Sequence, residues 1–408
     1  MKRRLYEDYK DLFLYSFIAV FVGILTGAVD VVFVEVLIRL TEIRDRDPLK
    51  WIPFLPLAGM LILFLYKKLS GDSLKGMTMI FQTGHGDNGK IPGMLVPLVI
   101  FSTWLTHLFG GSAGREGVAV QIGAAIAHTM GRKLKFLAEP RILVVIGMAA
   151  GFSGLFQTPL AATFFSLEVL VSGVLLQEAL LPALIASYAA CTTSSLLGLE
   201  KFSVHMDSAL ELSPSVFAKM ILLGIVFGIA GGFFAHSLGF CKKYFAGKIK
   251  QPLKRIFFMG CALSVILLVL HTGRYSGLGT NLIQSGFQNG QIYIYDWMFK
   301  FLLTILTLSA GFQGGEVTPL FSIGASLGMV LGTVLGLPAP FIAALGYAAL
   351  FGSATNTLIA PIFIGAEVFG PQNTVYFVIV CATAYAFNGG KTIYSAQKNF
   401  SYFKGEGA

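Results

Sequence analysis

The sequence predicts an all-α polytopic membrane protein, built as an inverted-topology repeat whose broken half-helices meet at the midplane. Three observations predict it. Hydrophobic residues make up 55% of the chain and charged residues 12%, with a mean hydropathy of +0.73. That balance suits a bilayer rather than a soluble domain. Many of the apolar segments run for only about 11–17 residues, short of the roughly 20 that cross a bilayer, and short Gly- or Pro-interrupted segments mark helices that break inside it. Finally, the halves echo each other. Ile122, Gly123 and Ala124 recur as Ile323, Gly324 and Ala325, each after a glycine-rich turn with a glutamate, Glu116 or Glu316. Gly151 to Pro159 is answered by Gly352 to Pro361, again about 200 residues on.

The elements follow in order. A charged lead-in, Met1 to Lys10, has no small-residue cleavage site and reads as cytoplasmic. A long apolar helix over 11–40 carries Asp30 and Glu35, and a second span covers 51–66. From Leu69 to Ile91 the chain turns polar and glycine-rich, with a loop at Gly84 to Gly89. Further apolar segments occupy 94–109, 118–130, 141–157, 159–171 and 174–198. After a polar linker, Asp207 to Pro214, the pattern resumes at 215–240, 256–271, 293–310, 319–337, 340–352, 357–369 and 372–387. The expected organisation is one transmembrane domain over 1–408, with a first repeat at 11–200 and a second at 215–395. The polar end, Asn388 to Ala408, is too short for a cytoplasmic regulatory domain. Asp30, Glu35, Glu178 and Asp296 fall near segment ends and are expected at the membrane interface.

The net charge of +9 raises the question of nucleic acid. The basic residues, however, cluster in short loops such as Lys67-Lys68, Arg132-Lys133 and Lys242-Lys243, as the positive-inside rule requires. No nucleic-acid partner is expected, and both termini are placed in the cytoplasm. Cys191, Cys241, Cys261 and Cys381 lack metal or redox spacing, and the six histidines are scattered. With no nucleophile–base pair and no metal cluster legible, enzymatic chemistry, a cofactor and a metal are all unexpected.

Chemistry concentrates in the stretch Gly110 to Ala124, where glycines, Arg115 and Glu116 sit between two apolar segments. The glycines expose backbone amides, and a helix reading from Val118 would present its N-terminus beside Glu116. Free N–H groups and partial positive charge make such an end an anion site. Glu116 sits where the anion would bind and is a competitor for it. An ionisable residue inside a membrane segment is functional by default. The second such stretch is Gly311 to Leu320, where Thr318 and Pro319 read as an N-cap and first helical residue and the amides near Val317 face an anion. Glu316 there suits proton chemistry or the holding of an anion-coordinating hydroxyl such as that of Thr318. Glu168 and Glu367, on two short helices, read as structural or interface residues. Tyr394, after the last apolar run, can aim its hydroxyl back at a central site.

These residues resemble the CLC family of anion channels and anion/proton antiporters over nearly the whole chain. Gly114 to Val118 is similar to the family's Gly-Arg-Glu-Gly-Pro signature, with Val118 in place of proline. Gly315 to Pro319 follows its Gly-x-Phe-x-Pro signature, with Val317 for phenylalanine, and Tyr394 falls at the central-site tyrosine. The resemblance implies that Glu116 is the gate that swaps with the anion and carries the proton. It implies that Gly114, Arg115, Gly117 and Val118 on one side, and Gly315, Val317 and Thr318 on the other, line the anion path. The departures sharpen the reading. The family's Gly-Ser-Gly-Ile-Pro motif aligns with Gly76 to Ile80, which sets Met77 at the serine position. The position of the inner proton-relay glutamate is Val169, and Glu316 has no carboxylate counterpart in typical chloride members. Together these look like the fluoride-exporting branch, which implies a homodimer in the plasma or inner membrane that moves fluoride out and protons in, with chloride at most a weak substrate. The segments around 159–198 and 357–385 are the expected dimer face. A chloride/proton antiporter or passive chloride channel on the same fold is the alternative.

Overall fold

The computed structural model describes residues 2–87, 90–133, 139–206, 210–288 and 290–400, with side chains from Tyr9 onward. Asn88 and Gly89 of the expected loop, the start of the expected linker from Asp207, and the last residues of the polar end, from Ser401, lie outside the described residues.

The first half opens with α1 (Lys2–Arg46), the short α2 (Pro48–Trp51) and α3 (Leu55–Leu69). It continues through α4 (Met77–Gly84), α5 (Leu95–Leu108), α6 (Glu116–Lys133), α7 (Pro140–Phe156), α8 (Pro159–Glu168) and α9 (Leu180–Leu196). The second half runs α10 (Pro214–Lys248), α11 (Pro252–Val269), α12 (Thr280–Phe287), α13 (Asp296–Ala310) and α14 (Val317–Leu335). It ends with α15 (Ala339–Thr355), α16 (Ile359–Phe369) and α17 (Thr374–Ala386). Setting α2 aside, each element of the first half has a counterpart of similar length in the second. Both α4 and α12 have 8 residues, and both α7 and α15 have 17. Among the described residues, six helices are long and apolar enough to cross a membrane, while α5, α7, α15 and α16 are apolar but shorter.

The halves are packed by the same device. In α6 and α7 the backbones cross at Gly123 and Gly147, where an added Cβ on Gly123 would lie 2.0 Å from the Gly147 carbonyl oxygen. In α14 and α15 they cross at Gly324 and Gly346, where the corresponding distance is 2.1 Å. Small residues at a crossing let helices approach until only backbone separates them, which is how membrane helices gain packing energy without a hydrophobic driving force. The short helices α8 and α16 cap each other. Glu168, at the end of α8, accepts from the amides of Leu358, Ile359 and Ala360 at the start of α16. Glu367 of α16 accepts from Leu160 and Ala161 at the start of α8. Each carboxylate thus satisfies amides that a helix start leaves unpaired, and Phe164 stacks on Phe363 between them at 4.8 Å.

Several expectations need correction. The polar stretch Leu69 to Ile91 holds a helix, α4, that the sequence did not reveal, ending at Gly84, where the expected loop begins. α12 also escaped the apolar pattern, because eight residues with half their positions polar carry no span signal. The helix beginning near Val118 starts at Glu116, and α14 starts at Val317 with Glu316 in the capping position, so Thr318 is not the N-cap. Asp30 is not interfacial: it is fully buried in the α1–α7–α9 seam against Gly154. Asp296 is also buried, bonded to Arg274 at 2.7 Å and to the Tyr275 hydroxyl at 2.7 Å. Glu35 and Glu178 are exposed.

Candidate anion site

The two loops singled out in the sequence meet at the centre of the molecule. Gly114 and Gly315 form an antiparallel bridge, the Gly114 amide donating to the Gly315 carbonyl at 2.5 Å and the Gly315 amide to Gly114 at 2.8 Å. The N-termini of α6 and α14 therefore face one another across a pair of glycines. Bulk at this point is excluded, because a Cβ on Gly114 would lie 2.8 Å from the Pro319 ring and 3.0 Å from the Thr318 amide. Behind the first loop, the fully buried Lys300 donates to the Ser112 hydroxyl at 2.9 Å and the Gly277 carbonyl at 2.6 Å. His107 bridges the carbonyls of Thr103 and Ala113 at 2.8 and 3.0 Å. The loop that carries Glu116 is thus braced from two sides.

Glu116 is fully buried, in the first turn of α6. Its Oε2 accepts from the Thr318 amide at 3.0 Å, from the Thr318 hydroxyl in a short hydrogen bond, and from the Arg115 amide at 3.3 Å. Its Oε1 accepts no hydrogen bond among the described residues and lies 3.9 Å from the Arg115 guanidinium. Backbone amides, a hydroxyl and a helix start converging on one oxygen are the donor set an anion requires. The carboxylate of this chain fills that set.

Beside Gly117, the residue after Glu116, opens a cavity of about 380 Å³, lined among others by Met77, Gln121, Lys242, Glu316 and Tyr394. Met77 enters it as the first residue of α4, immediately after Gly76, whose φ of +50° turns the chain into the helix. Tyr394 is buried with its ring 5.0 Å from that of Phe81. Its segment is pinned beneath α8 by a two-residue parallel pairing of Val171–Ser172 with Lys398–Asn399. Gln397 adds bonds to the carbonyls of Val169 and Thr355 at 2.9 and 3.0 Å. Val169 itself is fully buried.

The structure therefore pairs Glu116 with Thr318 and sets Met77, Glu316 and Tyr394 around the adjoining cavity, and it revises what their neighbours can offer. The amides of Gly114 and Gly315 are used on each other, and the Val118 amide donates to the Arg115 carbonyl at 3.0 Å inside the first turn. None of the three is free to hold an anion, so these glycines act as close-approach residues rather than donors. Val317 is buried at the first position of α14. The Thr318 hydroxyl is held by Glu116, not by Glu316, which removes the threonine-positioning role expected of Glu316. The Glu316 carboxylate instead meets Lys242 at 3.4 Å. Two residues went unnoticed in the sequence. Gln121 left a signal, as a lone amide on an apolar helix one turn after Gly117. Lys242 left none, since it reads as one more basic residue of a cytoplasmic cluster.

Comparison with known proteins bears on this geometry. The family model described as voltage gated chloride channel matches residues 58–389. A protein of Pseudomonas syringae pv. tomato described as a chloride/fluoride channel protein is 33% identical over 389 residues, spanning 92% of this chain and 84% of the relative. The crystal structure of a CLC-type fluoride/proton antiporter superposes with a TM-score of 0.95 at 50% identity, covering 96% of this chain and 99% of its own. A slow cyanobacterial Cl−/H+ antiporter, at 21% identity and a TM-score of 0.79 over 93% of this chain and 96% of its own, shares the fold. The family match, the one-third identity across nearly the full length and the paired glycine bridge at the centre agree: this chain belongs to the voltage-gated chloride channel, or CLC, family.

Proposed function

We propose that this protein is a fluoride/proton antiporter that exports cytoplasmic fluoride, with Glu116 as the group that exchanges with the anion and carries the proton. The observation that carries this reading is the Glu116 carboxylate seated on the Thr318 amide and hydroxyl, at the start of α14. A negatively charged side chain in that cradle excludes an anion by competition. Protonation cancels its charge and turns one of its oxygens from acceptor to donor, so the cradle is released to an incoming anion. Occupation by the anion and protonation of the glutamate are then two halves of one exchange.

The preference for fluoride follows from size. A smaller ion costs more to take out of water, so it is repaid only by compact, strong donors at short range. The Thr318 hydroxyl and its amide are such donors. Met77 stands where a serine hydroxyl would serve a larger chloride, and its thioether offers no donor. Glu316, facing the cavity, provides a carboxylate for proton entry from the cytoplasm in a chain whose inner relay position is Val169. The relatives described as a CLC-type fluoride/proton antiporter and a chloride/fluoride channel protein support this substrate class. We further assign the repeats to 11–200 and 215–395 of one transmembrane domain. We read the molecule as a homodimer in the plasma or inner membrane with both termini in the cytoplasm, a reading that the basic ends of helices such as α3 and α6 support.

The test is efflux from proteoliposomes, reading fluoride, chloride and internal pH together. The wild type is expected to drive proton uptake with fluoride efflux while chloride stays nearly inert, and Glu116→Gln to be uncoupled or inactive. Equal fluoride and chloride flux would return the protein to the chloride-transporting members of its family. Fluoride flux without proton movement would make it a channel.

A further inference from the structure

The cavity beside Gly117 is lined by one carboxylate, Glu316, and by two unlike partners for it. From α10, the Lys242 ammonium stands 3.4 Å from Glu316 Oε1; the Lys242 side chain is 44% exposed and that of Glu316 12%. From α6, Gln121 donates its Nε2 to the Gly117 carbonyl at 3.1 Å. That bond fixes the amide's orientation, because a flip would set oxygen against oxygen. Its Oε1 is left buried with no partner among the described residues, although Gln121 lines the same cavity as Lys242 and Glu316. Gly117, beside both, has no side chain, and a Cβ placed there would lie 3.4 Å from the Gly315 Cα and 4.0 Å from Glu316 Oε2.

The partners differ in what they can satisfy. A carboxylate only accepts hydrogen bonds and favours a cation, whereas a carboxylic acid carries one O–H that must find an acceptor. Lys242 supplies the first need and cannot supply the second, since an ammonium has no lone pair. Gln121 Oε1 supplies the second. We propose that Lys242 and Gln121 are alternative partners of Glu316 for its charged and its proton-bearing form, and that the move from one to the other carries each proton from the cytoplasmic cavity towards Glu116. This rests on the antiport reading above. The proton arrives from cavity water, breaks the Lys242 pairing by cancelling the charge, and rides on the Glu316 O–H while that group donates to the Gln121 oxygen, until Glu316 gives it up to the Glu116 carboxylate. The return of the carboxylate to Lys242 resets the site. The other charged or titratable groups lining the cavity are Lys75 at the approach to α4 and Tyr394 on the C-terminal segment, with Arg115 on the bridging loop and Glu116 at the start of α6 next to it.

The test measures fluoride efflux and proton uptake in proteoliposomes from pH 5.5 to 8.5 for wild type, Lys242→Met, Lys242→Arg and Gln121→Leu, with Glu316→Gln alongside. Transport that waits on proton loading slows as pH rises. Lys242→Met, which removes the partner of the charged form, is expected to move that fall to higher pH. Lys242→Arg is expected to keep the wild-type profile, and Gln121→Leu to lower the protons moved per fluoride at every pH. An unmoved profile in Lys242→Met, or wild-type coupling in Gln121→Leu, overturns the proposal. If Glu316→Gln uncouples transport while those two variants match the wild type, only this proposal fails. If Glu316→Gln keeps full coupling, the assignment of Glu316 to proton entry fails, and this proposal with it.

Discussion

Thr318→Val isolates the donor on which selection of a small anion depends. The substitution keeps the branched shape of a side chain that is 4% exposed and removes only the hydroxyl. In the wild type that hydroxyl and the Thr318 amide, 3.0 Å away, converge on Glu116 Oε2, with the Arg115 amide further off at 3.3 Å. A hydrogen bond to a charged group is worth a net ~1.5–3 kcal/mol, which corresponds to roughly 10–150-fold in binding. An anion in the same cradle loses the same donor, and fluoride, the more costly ion to dehydrate, depends on it more than chloride does. Fluoride binding is therefore expected to weaken by about tenfold or more, and the fluoride-to-chloride preference in competitive efflux to fall by the part of that loss which chloride does not share. Thr318→Ser, which keeps the hydroxyl, is expected to retain the preference. The amides remain in place, so the site is weakened rather than abolished, and elution and thermal unfolding in detergent check that the fold is intact. A Thr318→Val preference within about twofold of wild type would refute the reasoning, because it would mean the backbone amides alone set selectivity.

Other outcomes follow from the same geometry. Met77→Ser restores a hydroxyl at the cavity end of the path and is expected to raise chloride flux; unchanged anion competition would remove Met77 from the account of selectivity. Glu168→Ala strips the acceptor from the amides of Leu358, Ile359 and Ala360 at the start of α16. Buried unsatisfied groups cost ~1–3 kcal/mol each, so a loss of about 3 kcal/mol or more is expected as a lowered melting temperature in detergent, with Glu168→Gln falling in between. Gly123→Ala places a methyl 2.0 Å from the Gly147 carbonyl oxygen, an overpacking beyond the usual ~1–3 kcal/mol range. Little folded protein is expected, whereas Gly239→Ala, with open space around it, should purify like wild type.

The sequence by itself determined the class, the repeat and the two central loops. Composition and short apolar runs require a bilayer, and glycine turns carrying Glu116 and Glu316 at equivalent places in each half imply two helix starts brought together. Those signals are local, since a span's length, a turn's glycine and a helix's first residues are written within a few positions. The identity of the donors was not local. Whether a backbone amide is free depends on what lies opposite it, and only the folded chain shows Gly114 and Gly315 bonded to each other, with the Thr318 hydroxyl on Glu116. The same holds for residues read as surface or interface. Asp30 and Asp296 looked like segment ends and are buried, because α1 runs on past Asp30 and seats it against Gly154, while Arg274 and Tyr275 reach Asp296 from another stretch. Lys242 lies 74 positions from Glu316, and nothing in its own neighbourhood in the chain marks it. Hydrophobicity and turn chemistry are properties of a stretch, so they survive in the sequence. The pairing of one buried charge with one donor is a property of two distant stretches, and the tertiary structure alone decided it.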